Sequence, residues 1–369
     1  MKPPLVLEIE PTNYCNLKCK MCHVRFMSVE QVEMIDIKSL ESVAASTNNT
    51  VIQFGAVFEP SIHKQFAQLI RMFSKNGNKI LITTNATMLN DDLIKTLEES
   101  NNIYSIDFSV DSAVEDTYEK IRVGGKFKKV SNNIRKIVKA LEGKNVYFGI
   151  NAVLMKSNID ELIELIDFAE DIGINGLGLI YMVLRNLSAQ DLIDDSLYPI
   201  QDYAESKIDE AVEYVIANSL RVVLTSAYLQ KTKLKQKYPD NINSNYVLSG
   251  NIESKLYKNI RVDLQKGKYP GMDINCTSPW TFAKIMWNGN VQLCYKENIG
   301  NIVESSFENI WIGESAEKFR KDVLETKGPC QTCDYYKFCI SAASIDTDSK
   351  KSFFSGNLLN KADEIFSDN

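Results

Sequence analysis

Thr12-Asn-Tyr-Cys-Asn-Leu-Lys-Cys-Lys-Met-Cys-His23 places three cysteines, Cys15, Cys19 and Cys22, within eight residues, directly after an apolar run ending at Glu10. The run reads as a first β-strand and the cysteines as a ligand loop at its C-terminal end. The spacing CxxxCxxC offers three thiolates to a four-iron cubane and leaves the fourth iron without a protein ligand, free to bind a small molecule. No further cysteine follows until Cys276, so a ferredoxin-like fourth ligand is not at hand. On spacing alone, a zinc loop or a group of buried structural thiols remains the alternative.

Outward from that loop, short apolar or β-branched runs alternate with longer stretches of helical periodicity up to about residue 185, the signature of repeated βα units on parallel strands. Six strands are expected, at Leu5 to Glu10, Val51 to Phe54, Lys79 to Thr83, Tyr104 to Val110, Val146 to Val153 and Gly176 to Ile180. Between the last two, Asn158 to Asp171 carries Ile159, Leu162, Ile163, Ile166 and Ala169 on one helical stripe, with Gly173 as a C-terminal stop. Six units are fewer than a closed eight-stranded barrel. The expected fold is therefore α/β, a partial (β/α)6 TIM-like barrel with a lateral opening.

The expected domains are a barrel over 1–185, a bridging or lid region over 186–275, an auxiliary cluster domain over 276–345 and a C-terminal tail over 346–369. The bridging region contains a helical segment around Tyr203 to Asn218 and a short strand at Arg221 to Thr225. In the next segment Trp287-Asn-Gly-Asn-Val-Gln-Leu-Cys294 reads as a β-hairpin turning at Asn288-Gly289, with Cys294 on its second strand. Cys276 and Cys294, followed by the CxxC of Cys330 and Cys333, supply four thiolates, enough to close every iron of one auxiliary [4Fe–4S] cluster. A four-cysteine zinc ribbon has the same ligand number.

Composition bounds the function. The 369 residues hold 42 Lys and Arg against 48 Asp and Glu, a net charge of −6, with no basic footprint for nucleic acid or an anionic membrane. No segment approaches eighteen uninterrupted apolar residues and the N-terminus lacks a signal peptide's apolar run, so a cytoplasmic location is expected. In a reducing compartment clustered cysteines read as metal ligands and not as disulfides.

Taken together, the motifs resemble the radical S-adenosylmethionine (SAM) enzymes that carry a C-terminal SPASM or twitch extension. That resemblance implies that Cys15, Cys19 and Cys22 hold a [4Fe–4S] cluster whose open iron chelates SAM. Reductive cleavage of SAM to a 5′-deoxyadenosyl radical, and abstraction of hydrogen from a substrate, follow from the same resemblance. Phe54-Gly-Ala-Val-Phe-Glu-Pro-Ser-Ile-His63 looks like the family's Gly-x-Gly-Glu-Pro loop that meets the methionyl amine, with Ala56 and Phe58 in place of glycines and Glu59 as the implied contact. Thr83-Thr-Asn-Ala-Thr-Met-Leu89 resembles its Thr-Asn-Gly-x-x-Leu element and implicates Asn85. Ser109 and Arg122 are implied to meet the SAM carboxylate, with Asp111 ordering the site and Asn151 contacting the ribose. Met21 is implied to cover the adenine. Taken residue by residue, Arg122 could equally be a surface charge and Asp111 a helix cap.

The segment Ile299 to Trp311 resembles the SPASM and twitch pattern and favours iron in the second site. The full SPASM pattern has a further cysteine where Ala343 stands, so a one-cluster, twitch-like module fits better and leaves Cys339 over. Cys339 is a buried structural thiol, an alternative ligand or a catalytic hydrogen-atom donor. The resemblance further implies a flavodoxin- or ferredoxin-type reductant as partner. Its single-cluster branch implies oxidation of a small polar, sugar- or cyclitol-like metabolite. A peptide maturase performing crosslinking or epimerisation is the rival, disfavoured by the absence of room for an N-terminal leader-binding domain; a non-catalytic iron–sulfur or zinc scaffold is a third reading.

Overall fold

The computed structural model describes residues 3–184, 189–225, 278–294 and 297–325. Cys276, Cys330, Cys333 and Cys339, most of the expected lid region and the whole C-terminal tail lie outside the described residues. A single ten-stranded sheet runs through what is described, in the order β10-β9-β8-β1-β2-β3-β4-β5-β6-β7.

Strands β1 (Val6–Ile9), β2 (Val51–Phe54), β3 (Lys79–Thr84), β4 (Ile103–Ser109), β5 (Tyr147–Leu154) and β6 (Gly176–Tyr181) match the six expected runs and pair in parallel, in sequence order. Strand β7 (Val223–Thr225) extends the parallel array beyond β6. On the other edge β8 (Phe282–Ile285) pairs in parallel with β1, and β9 (Asn290–Cys294) and β10 (Glu297–Asn301) continue from it antiparallel. The expected partial barrel is thus present. The hairpin expected to begin the auxiliary segment is an extension of the barrel's own sheet.

Helices α1 (Glu41–Ser46), α2 (Phe66–Phe73), α3 (Asp91–Glu99), α4 (Glu115–Ile121) and α5 (Phe127–Ala140) fill the connections up to β5. After it come α6 (Leu162–Asp171), α7 (Gln190–Asp194) and α8 (Gln201–Ala217). Their apolar stripes bury against alternate strand residues. Leu7, Ile9, Ile52, Phe54, Ile80, Ile82, Ile106, Phe108 and Ile150 join one core with Leu69, Ile70, Phe73, Leu97 and Ile134 of the helices. Phe54 lies edge-on to Phe66 and Phe73, with ring centroids 5.4 and 5.9 Å away. The helix expected over 158–171 begins as a 3-10 turn at Ile159–Glu161. Leu165 is fully buried where Ile163 is only half-buried, and Gly173 ends the helix at φ +79°.

Register assigns the other set of strand residues to the opposite face. Lys284, Glu8, Gln53, Leu81, Ser105 and Tyr147 form one row across the strands, and Thr83, Asp107 and Gly149 the next. This interior face is largely polar, whereas the helix-covered face is apolar, so the period of two in each strand separates a folding surface from a chemical one. Beyond the sheet, α9 (Ser278–Thr281), α10 (Phe307–Ile312) and α11 (Glu314–Leu324) are tied together by Arg320. Its Nε donates to the Pro279 carbonyl at 2.9 Å, and its guanidinium lies over the Trp311 ring.

Candidate functional site at the C-terminal strand ends

The C-terminal ends of β1 to β5 gather the cysteine loop, the 55–63 loop, Asn85, Ser109, Asp111 and Asn151 on one edge of the sheet. Residues 13–33 form a loop closed by a bridge between Thr12 and Met34, and it brings Cys15, Cys19 and Cys22 over that edge. Cys19 is buried and the other two are half-buried. Backbone bonds from Lys18 N to the Val123 carbonyl and from Lys20 N to that of Ile121 seat the loop on the end of α4.

Two side-chain donors point at the sulfurs. Asn85 Nδ2 lies 3.7 Å from Cys15 Sγ, and Arg122 Nη1 lies 3.7 Å from Cys19 Sγ. Burial pushes the Cys15 thiol up to about 11 and also raises that of Cys19, although Arg122 works against the shift there. Burial thus favours the neutral thiol at Cys15 and Cys19, and were a metal bound there the two donors would meet thiolate sulfurs in charge-assisted contacts. Among the described residues no three His, Cys, Asp or Glu side chains converge as ligands of one ion. Three thiols on one loop, two of them met by side-chain donors, suit a cubane, which takes one thiolate on each of three irons. The donor set fits the cluster expected from the sequence.

Arg122 is buried, and burial opposes its charge, yet Asp111 and the Cys19 sulfur together raise its pKa. Its Nε and Nη2 reach the two oxygens of Asp111 at 2.5 and 3.0 Å, and Asp111 also accepts from Val153 N. The guanidinium fork expected to face the SAM carboxylate therefore grips a carboxylate of the chain, and Arg122 serves as a bridge between Asp111 and the cysteine loop. Ser109 and Asn151 are register partners on β4 and β5 and stand side by side on the interior face, both half-buried. Met21 is half-buried and packs against the core beside the loop.

Glu59 is fully enclosed. Its carboxylate accepts from Ser61 N and Oγ, from Thr84 Oγ1 at 2.7 Å and from Asn85 N at 2.7 Å, and burial raises its pKa. It caps the turn at Pro60–Ile62 and ties the β2 loop to the end of β3. Asn85 in turn accepts from Thr87 N and Oγ1 and donates to Asn16 Oδ1 at 3.1 Å. Ala86, where the related element has glycine, holds φ +55°, and Asn133 of α5 fixes its carbonyl at 2.8 Å.

Three features escaped the sequence reading. Glu10 is completely buried and accepts from three successive backbone N–H groups of the 55–58 loop: Ala56 at 3.0 Å, Val57 at 2.7 Å and Phe58 at 3.2 Å. Lys284 of β8 lies 2.6 Å from Glu8 and 3.4 Å from Glu10. Asp107, on the interior face of β4, accepts from Ser105 Oγ at 2.9 Å, and burial pushes its carboxyl up to about 6. The available signal was the alternation of charge with apolar residues in Val-Leu-Glu-Ile-Glu and Phe-Ala-Lys-Ile, which marks strands with a polar inner face.

A family profile described as the radical SAM superfamily matches residues 9–169, and one described as an iron–sulfur cluster-binding domain, SPASM, matches residues 276–334. The tungsten-containing aldehyde ferredoxin oxidoreductase cofactor-modifying protein of Pyrococcus furiosus is 28% identical over 178 residues, 46% of this chain and 49% of that protein. The chain thus spans about half the length of that relative. The AdoMet-dependent heme synthase of Methanosarcina barkeri is 24% identical over 347 residues, 91% of this chain and 90% of its own length. Among solved structures, Streptococcus suis SuiB bound to its precursor peptide SuiA superposes with a TM-score of 0.62 at 19% identity, over 97% of this chain and 76% of SuiB.

Proposed function

The chain belongs to the radical SAM superfamily and carries its SPASM-type iron–sulfur segment, and on that premise we propose that it is an oxidoreductase acting on a small polar metabolite with hydroxyl or amine groups, sugar- or cyclitol-like. When bound, the [4Fe–4S] cluster and SAM supply a 5′-deoxyadenosyl radical, and the auxiliary iron–sulfur cluster is the electron acceptor. The chain's own residues bind, orient and take up a proton.

The observation that carries the reading is the polar interior face. Ser105, Asp107, Ser109 and Asn151 line adjacent strands below the cysteine loop, and Gly149 beside Asp107 makes room for the buried carboxylate: a Cβ there would lie 2.1 Å from Asp107 Oδ1. A carboxyl whose pKa is about 6 changes protonation close to neutral pH, which suits a group that accepts the proton of an oxidised hydroxyl or amine. In this reading Cys15, Cys19 and Cys22 hold the radical cluster, and Cys276, Cys294, Cys330 and Cys333 the auxiliary one. The 54–60 loop faces the methionyl end of SAM, Asn85, Ser109 and Asn151 meet its polar groups, and Met21 covers the adenine. Glu59, Asp111 and Arg122 act behind them, holding loop, strand end and cysteines in place. A flavodoxin- or ferredoxin-type protein delivers the electron.

The full-length span shared with the AdoMet-dependent heme synthase favours a second reading, an iron tetrapyrrole substrate. Anaerobic reconstitution followed by 5′-deoxyadenosine release with dithionite separates the two. The assay is run with amino sugars and cyclitols, with an iron coproporphyrin and with a mixed peptide library. Stimulation by a polyol with formation of its carbonyl product supports the proposal. Stimulation by the porphyrin or the peptides alone moves the chain to those substrate classes, the peptide case bringing Cys339 forward as hydrogen-atom donor. No nucleoside under any condition overturns the enzymatic reading.

A further inference from the structure

The β8–β9 hairpin reaches the 55–58 loop directly at Phe58 and indirectly through Glu10. Lys284, near the middle of β8, reaches Glu10, whose carboxylate holds the backbone N–H groups of residues 56–58. Trp287, in the turn after β8, meets Phe58 edge to face, with ring centroids 5.4 Å apart at 88°, and its indole N–H donates to Glu33 of the cysteine loop at 3.0 Å. Phe58 stands where related loops carry glycine, and its ring is buried against this hairpin. Of the two residues that replace glycines in this loop, Ala56 and Phe58, it is Phe58 that makes the inter-segment contact.

We infer that the β8–β9 hairpin is a positioning device for the cofactor: Lys284 through Glu10, and Trp287 through Phe58, set the 55–58 loop for the methionyl end of SAM. Here Lys284 and Trp287 are positioning residues, and the inference rests on the proposed placement of that loop at the methionyl group.

The physical chemistry runs through one carboxylate. Glu10 is completely enclosed, and a buried carboxylate stays ionised only when charge and hydrogen bonds compensate its lost hydration. The groups facing it are Glu8 beside it on β1, Lys284 from β8 and the N–H groups of the 55–58 loop. Burial and Glu8 raise its pKa; Lys284 and the Ala56 and Phe58 N–H groups oppose them. An ionised Glu10 accepts from all three N–H groups. A protonated one turns one lone pair into an O–H donor, loses its charge and so holds the three N–H groups less tightly. Lys284 therefore acts on loop geometry by keeping Glu10 charged, and Trp287 does so by clamping the side chain at the loop's far end.

The test is equilibrium binding to the anaerobically reconstituted full chain, with SAM and 5′-deoxyadenosine as separate probes; the second lacks the methionyl group. Lys284→Met is expected to weaken SAM at pH 6.5 by tenfold or more, to recover part of that loss at pH 8.5 as Glu10 ionises, and to leave 5′-deoxyadenosine unchanged. Lys284→Arg is expected to stay within about threefold of wild type, and Trp287→Ala to weaken SAM alone without the pH dependence. Because Lys284→Met leaves two buried carboxylates facing each other, Glu8→Gln with Lys284→Met supplies a variant with the wild-type net charge on the cluster; losing the Glu8 charge offsets part of the loss of Lys284, so a smaller SAM-specific, pH-dependent loss of about threefold or more is expected. SAM affinity within twofold of wild type in that double variant overturns the inference, as does equal loss of both probes, which marks a general collapse of the site. A wild-type chain that binds neither probe overturns instead the cofactor reading on which the inference stands.

Discussion

Asp107 sits on the interior face of β4, where burial perturbs its carboxyl. Its carboxyl is only 5% exposed and titrates near 6, against 3.8 for the unperturbed group, because desolvation outweighs the single hydrogen bond from Ser105. The native state thus binds this proton more tightly than the unfolded chain does. Protonation favours folding below about pH 4, and that contribution is lost as the pH rises through 6. Two pH units correspond to roughly 3 kcal/mol at most. Asp107→Asn, which removes the charge and keeps an acceptor for Ser105, is expected to stabilise the chain by about 2 kcal/mol at pH 8 and by much less at pH 4.5. Urea unfolding at the two pH values checks this, and equal gains at both would refute the assigned cause. A second prediction concerns Asn133, whose side-chain amide holds the Ala86 carbonyl from α5. Asn133→Ala leaves that carbonyl without its partner in a buried turn already at positive φ, and should lower stability by about 1–3 kcal/mol in the same assay.

At the scale of elements, the strand ends do the positioning and the helices supply the folding energy. The β2 loop turns sharply at Gly55, φ +76°, where a Cβ would lie 2.6 Å from both Pro60 Cδ and the Thr83 carbonyl. Neither neighbour is the free end of a flexible chain, so Gly55→Ala must displace the loop from β3. A cost of about 2–4 kcal/mol is expected from αL strain and overpacking together, seen as a lowered urea midpoint with unchanged slope. Loss of SAM binding should accompany it in the protein that remains folded. The opposite face of the same strand carries Phe54, wedged between Phe66 and Phe73, where Phe54→Ala is expected to cost about 3–5 kcal/mol. The two substitutions, adjacent in sequence, separate site geometry from core packing.

For the molecule as a whole, the sheet makes the barrel and the auxiliary segment continuous, since β8 is hydrogen-bonded along β1 and β1 leads into the cysteine loop. Iron content tests the division of the cysteines. The reconstituted wild type is expected to hold about eight irons and the variant Cys276→Ala with Cys294→Ala about four, still with nucleoside release. Zinc in place of the second four irons would remove the electron acceptor from the proposed reaction. A drop of the double variant to no iron would show that the two sites assemble together.

Much of this was readable without a fold. Cys15, Cys19 and Cys22 mark a candidate ligand loop by local spacing, because ligand loops are short and their residues adjacent in the chain. The six βα units are legible because burial imposes a period of two on strands and 3.6 on helices. The turn at Asn288-Gly289 was equally local, and Gly289 sits at φ +84° as such a turn requires. What only the tertiary structure decided was the partner of each buried charge. Glu10 and Lys284 are 274 positions apart, and Arg122 and Cys19 103. A buried charge takes whatever compensating group the fold delivers, and hydrogen-bond reach is about 3 Å in space with no preference for nearness in sequence. The chain's own order therefore determined which chemistry is present, while sheet register determined which residues hold it in place.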